Sequence, residues 1–170
     1  MRPLLATLLL AVACSASPAD PVPAPIRPAP SSAPGTASDP ATVALTLSGP
    51  DAEHTLEVEV ADDPAERGYG LMERTELAAD AGMVFRFPSD TDGGFYMKNT
   101  RIPLSIAFFD RRGEILRVLD MDPCTAGPCP TYNPELVYRG ALEVNQGRFD
   151  DLGVEEGWRV RLPEGLGPAQ

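Results

Sequence analysis

The sequence predicts a mainly β, α+β domain, built either as a small β-barrel or as a strongly curved antiparallel sheet with one short helix. Apolar and polar residues alternate in several short runs between Thr42 and Leu162. Turn-forming residues interrupt these runs at short intervals, and the helix-start signal falls at Asp63-Pro64-Ala65-Glu66. Many short strands with frequent turns, and one short helix, point to a mainly β domain of this kind.

The chain divides into three parts. Residues 1–14 read as an export signal: Arg2 precedes the apolar run Leu4 to Val12, and Ala13-Cys14 closes it. The run is too short to span about 30 Å of hydrocarbon as a lasting helix. Ala11-Val12-Ala13-Cys14 resembles a bacterial lipobox, which implies that acylated Cys14 is the first residue of the mature protein and anchors it in a lipid bilayer. An ordinary signal peptide cleaved nearby is the alternative. Residues 15–41 are rich in proline, alanine and serine and have no apolar periodicity, so they read as a disordered tether. The globular part is 42–170. The expected location is the cell envelope, outside the cytoplasm.

Within that part, Thr42 to Leu47 and His54 to Val60 alternate as half-buried strands joined through Ser48-Gly49-Pro50-Asp51. Asp63, Pro64 and Glu66 supply a capping acid, a proline at the first helical position and a glutamate three residues after the cap. Gly68 and Gly70 keep that helix short, since each costs about 1 kcal/mol relative to alanine in a helix interior. Met83 to Phe87 alternates again and is expected to end at Pro88, followed by a loop through Gly94. Leu104 to Phe109 and Glu114 to Met121 flank Asp110-Arg111-Arg112-Gly113, a type I turn pattern, and both strands are apolar enough to be expected at the sheet's centre. After an irregular stretch over 122–134, Ala141 to Val144 and Trp158 to Leu162 read as further strands.

The formal charge of -11 belongs to the globular part, because Arg2 and Arg27 balance Asp20 and Asp39 before it. That acidity argues against nucleic acid and anionic lipid surfaces as partners. Cys124 and Cys129 are the pair left once Cys14 is assigned to lipidation, and in an oxidising compartment they are expected to form a disulfide. The four residues between them do not suit a Cys-x-x-Cys redox site, and a single histidine, His54, gives no zinc set. Met72, Met83, Met97 and Met121 offer thioethers to Cu(I), but each sits in an apolar context and reads as core filler. No metal or cofactor is predicted.

Three stretches together, Arg67 to Arg74, Gly82 to Pro88 and Phe95 to Leu104, with the Leu142-Glu143 pair and Gly157, resemble the DUF192 family over about residues 52 to 162. Tyr96 stands where that family commonly has tryptophan, and Ser105 where it commonly has aspartate. The resemblance implies a compact, mainly β domain, often exported, with no established catalytic chemistry.

Lys98 is the only lysine in the sequence and is followed by Asn99 and Thr100. An ammonium, an amide and a hydroxyl can together orient a polar or anionic ligand, and Arg74 can add a planar fork. In the competing reading, Lys98 pairs with an acid such as Glu143 while Asn99 and Thr100 tie down the turn before Pro103. Glu143 lies between Leu142 and Val144, so it faces opposite to both and is expected at the surface unless paired. No Ser-His-Asp or Cys-His set is available. The leading expectation is therefore a non-catalytic binding or accessory domain, for a small polar or anionic molecule, a glycan or another envelope protein. The alternatives are an enzyme of unassigned type using Lys98, Arg74 and Glu143 around a pocket, and a purely structural or protein-interaction domain.

Overall fold

A computed structural model describes residues 40–170. The signal with Cys14, and the tether as far as residue 39, lie outside the described residues. Strands β1 (Thr42–Ser48) and β2 (Glu53–Ala61) form the expected antiparallel hairpin, with Leu45 opposite Leu56. Their alternation buries Leu45, Leu47, Leu56, Val58 and Val60 on one face. Helix α1 (Pro64–Tyr69) begins on a capping box: Asp63 Oδ1 accepts from the amides of Ala65 and Glu66 at 2.7 and 2.9 Å, and Glu66 Oε2 accepts from Asp63 N at 3.2 Å. It stops at Gly70.

Strand β3 (Ala81–Thr91) pairs parallel with β2, so the sheet is mixed and not wholly antiparallel. Parallel neighbours need a crossover, which α1 and the following loop provide. β3 also continues past Pro88. The register against β8 (Tyr138–Asn145) shifts between Arg86 and Thr91, so the proline falls where the ladder is already interrupted and its missing N–H breaks no regular pairing.

The remaining large-sheet strands are β5 (Leu104–Phe109), β6 (Ile115–Met121) and β9 (Arg159–Arg161), giving the order β6-β5-β8-β3-β2-β1-β9. β5 is buried throughout, as a central strand should be, but its hairpin partner β6 lies at the sheet edge. A second short helix, α2 (Arg148–Leu152), was not expected; it lies between two left-handed glycines, Gly147 and Gly153, and buries Phe149. Strands β4 (Phe95–Tyr96) and β7 (Thr131–Tyr132) make a separate two-stranded ribbon.

The sheet curves until its two edges meet. Ile115 N donates to Trp158 O and Val160 N to Gly113 O, both at 2.7 Å, around an isolated antiparallel bridge between Glu114 and Arg159. This contact is a seam and not a continuous ladder, so the curved sheet does not close into a barrel. Trp158 packs so near the β1–β2 turn that a Cβ on Gly49 would lie 2.2 Å from its ring.

Both faces of the sheet are covered at its centre, over β5 and the middle of β8. One core joins Leu45, Leu56, Val58, Val84, Leu142 and Val144 with Phe149 and Trp158. The other joins Met83, Phe85, Ile106, Phe108, Met121 and Ala141 with Leu71, Met97 and Ile102 from the segments laid over that face. Burying each such side chain contributes roughly 1.5–3 kcal/mol.

The seam generates a stability prediction. Asp110 Oδ1 accepts from Arg112 N and Glu114 N at 2.7 and 2.9 Å, which leaves Gly113 at φ +80° with its carbonyl on Val160. A Cβ on Gly113 would lie 2.1 Å from Val160 O. Gly113→Ala is expected to lose at least about 2 kcal/mol, from the left-handed conformation and the displaced seam. Urea unfolding reads this directly, and an unchanged midpoint would show that the seam contributes little.

Candidate functional site

Alternation along β8 places Glu143 on the second face, directly across from Met83 on β3 and Ile106 on β5. Above it, residues 67–72 and the stretch from Gly93 to Thr100 leave a cavity of about 280 Å³. Phe85, Phe87, Phe95, Tyr69, Met72 and Tyr138 supply its apolar walls, and Thr91, Thr100, Glu143 and Arg67 its polar side chains.

Glu143 is only 6% exposed and forms no ion pair among the described residues. Burial pushes its carboxyl up to about 8. An ionised carboxylate in such surroundings loses its hydration without compensation, so the group keeps its proton at neutral pH. The expectation of a surface glutamate is thereby corrected. What the cavity holds is a neutral carboxyl that can both donate and accept a hydrogen bond.

The walls are held by ring-edge contacts. Phe95 meets Phe85 and Phe108 at centroid distances of 5.0 and 5.6 Å, and Tyr138 meets Phe108 and Phe87 at 4.9 and 5.7 Å. Such pairs contribute about 0.5–1.5 kcal/mol beyond area burial. Tyr138 Oη donates to Gly93 O at 2.7 Å, and burial, with Asp92 adding to it, pushes the phenol up to about 12. The Arg67 guanidinium lies 5.3 Å from the centre of the Phe87 ring and donates to Arg86 O at 2.9 Å.

The turn that carries three of the predicted site residues is clamped from both sides. Thr100 N donates to Met97 O at 3.0 Å, and Asn99 adopts φ +57°, a conformation asparagine tolerates better than most residues. Asn99 N donates to Cys124 O at 2.9 Å, Cys124 N to Thr100 O at 3.2 Å, and Glu73 N to Asn99 O at 2.8 Å. Cys124 is itself held by the disulfide to Cys129, with their Cα atoms 5.8 Å apart. Consequently Met97 and Thr100 turn inward while Lys98 and Asn99 face solvent.

Of the five predicted ligand-binding residues, Thr100 and Glu143 line the cavity together. Lys98 is exposed and forms no ion pair among the described residues, so the Lys98–Glu143 pair is not made. Arg74 is bound to Glu59 at 2.6 Å. The Lys98/Arg74/Glu143 set is therefore not assembled around this cavity. Arg67, Tyr69 and Phe95 were within reach of sequence reasoning, because they belong to the quoted family stretches; Tyr138 carried no local signal.

A family profile described as DUF192, uncharacterised ACR, matches residues 45–162. Among solved structures, a protein of Sinorhizobium meliloti 1021 proposed to be a transcription regulator is 31% identical, with a TM-score of 0.69 over 74% of this chain and 96% of that one. A protein of unknown function from Novosphingobium aromaticivorans DSM 12444 is 28% identical, with a TM-score of 0.65 over 74% of this chain and 94% of that one. No curated protein matches the chain.

The state of Glu143 gives a pH prediction. Its folded value of about 8 lies above the ordinary 4.5, so between those values the folded protein binds the extra proton. The stabilisation is full below about 4.5 and is lost as pH rises toward 8. Glu143→Gln removes this dependence, so the melting temperature of the wild type should fall relative to that of the variant across the window. Parallel curves for the two proteins would show that Glu143 titrates like an exposed glutamate.

Proposed function

The chain belongs to the DUF192 family, and we propose that it is an exported, lipid-anchored, non-catalytic binding domain whose ligand occupies the aromatic cavity over Glu143. The observation that carries this reading is the neutral, buried carboxyl at the base of an aromatic-walled space open to solvent. Ligand pockets are commonly apolar concavities with a few placed polar groups, and this one is near the small end of their usual size. Ring faces suit a planar apolar body. The Glu143 carboxyl and the Thr100 hydroxyl suit a carbonyl, amide or hydroxyl at its inner end. A neutral ligand fits better than an anionic one, because Lys98 and Arg74 do not line the cavity and the Arg67 guanidinium that does is already engaged with Arg86 O, Gln170 O and the Phe87 ring.

Binding is favoured over catalysis because the groups that an enzyme reading would use do not converge there. The regulatory role proposed for the Sinorhizobium meliloti relative is not carried over, since a formal charge of -11 opposes a phosphate backbone. Export is supported by the lipobox-like Cys14 and the tether, and the Cys124–Cys129 disulfide suits an oxidising compartment.

Two experiments test the reading. In a thermal-shift screen of small neutral aromatic amides and phenols, a true ligand at a hundred times its Kd should stabilise the protein by about 2.7 kcal/mol. Its shift should disappear in Tyr69→Ala and Thr100→Val, whose own melts must be checked, and persist in Lys98→Ala. Loss in Lys98→Ala alone would move the site to the outer side of the turn. For the anchor, Cys14→Ser should shift the protein from the membrane fraction to the soluble one, and continued membrane retention would overturn lipidation at Cys14.

A further inference from the structure

A second concave site lies where the two sheet edges meet, apart from the Glu143 cavity. It encloses about 630 Å³ and is lined by Arg86, Arg111, Arg112, Arg139 and Arg161, in a protein whose formal charge is -11. Three of the five arginines are already matched to acids. Asp62 takes Arg86 at 3.2 Å, and Asp90 takes Arg111 at 3.1 Å and Arg139 at 2.7 Å. Arg112 and Arg161 form no ion pair among the described residues.

The backbone brings those two together. Glu114 and Arg159 face each other across the antiparallel bridge as a matched pair at 3.6 Å, and the next step pairs Gly113 O with Val160 N at 2.7 Å. Arg112 lies in the turn just before that bridge and Arg161 in β9 just after it, and both line the same cleft. The cleft wall therefore carries two guanidiniums that no described acid neutralises, bordering open space. We infer that this cleft binds a ligand carrying two adjacent oxyanion groups, a diphosphate or a dicarboxylate, gripped by Arg112 and Arg161. Each guanidinium presents a planar fork that accepts one such group through two parallel hydrogen bonds. Phe87, Phe109 and Leu162 in the same wall provide room for an apolar body beyond the anionic head.

Calorimetric titration of the full chain with pyrophosphate and, separately, succinate at low ionic strength tests this. Saturable binding of at least one is expected, weakening as salt screens the charges. Arg112→Ala and Arg161→Ala should each weaken it about tenfold, and Arg112→Lys should restore only part, since lysine keeps the charge but not the fork. Arg117→Ala, which removes a cation paired with Glu156 outside the cleft, should leave the affinity unchanged. Preference for pyrophosphate would identify a phosphoryl ligand, and preference for succinate a carboxylate one. The proposal is overturned if neither anion binds, if both cleft substitutions leave binding intact, or if Arg117→Ala weakens it equally.

Discussion

Strand β8 runs between β5 and β3 with protein on both faces of its middle stretch, so the side chains from Ala141 to Val144 must be accommodated in one core or the other. Leu142 and Val144 enter the first core, and Ala141 and Glu143 turn to the second. For three of these residues that is ordinary apolar packing. For Glu143 it removes the option of solvent, and because an unpaired buried carboxylate costs several kcal/mol, protonation is the cheaper state. The polarity of the candidate site thus follows from strand position. A glutamate on a strand whose outer face is left uncovered would be an unremarked surface group, as Glu57 and Glu53 on β2 are.

Covering the second face requires segments that are distant along the chain. The stretch from Arg67 to Met72, the ribbon of β4 and β7, and the turn from Met97 to Thr100 all lie over it. None of these is long enough to hold itself in place, and each is fastened to another: the turn to Cys124 and Glu73, and Tyr138 to Gly93. The disulfide lies outside the sheet and does not line the cavity. Through the backbone at Cys124 it nevertheless determines where Thr100 points.

The sequence shows its local structure well because local structure depends on neighbouring residues. The β1–β2 hairpin, the capping box at Asp63, the turn at Asp110 and the pairing of Cys124 with Cys129 all rest on residues a few positions apart. The parallel pairing of β2 with β3 does not, since no residue in either strand encodes the direction of its neighbour. Pro88 reads as a strand end because a ladder normally needs its N–H; only the register shift against β8 makes it tolerable. Glu143 illustrates the limit for function. A Leu-Glu-Val alternation has the same appearance on a half-exposed strand and on one covered from both sides, and the covering residues come from elsewhere. Lys98 shows the reverse error: chemically it was the most distinctive residue, yet a left-handed Asn99 turns it outward.

Phe87 lines the Glu143 cavity on one side and the arginine cleft on the other, with the Arg67 guanidinium over its ring. A ring that lines two concave spaces would change both if it moved. An occupant that presses the ring away from one chamber narrows the other, and one that draws it closer widens the other. Any free energy exchanged in this way is reciprocal by thermodynamic linkage, whichever chamber is filled first. Because Phe87 lines both chambers, any substitution of that one residue reshapes a wall of each at once.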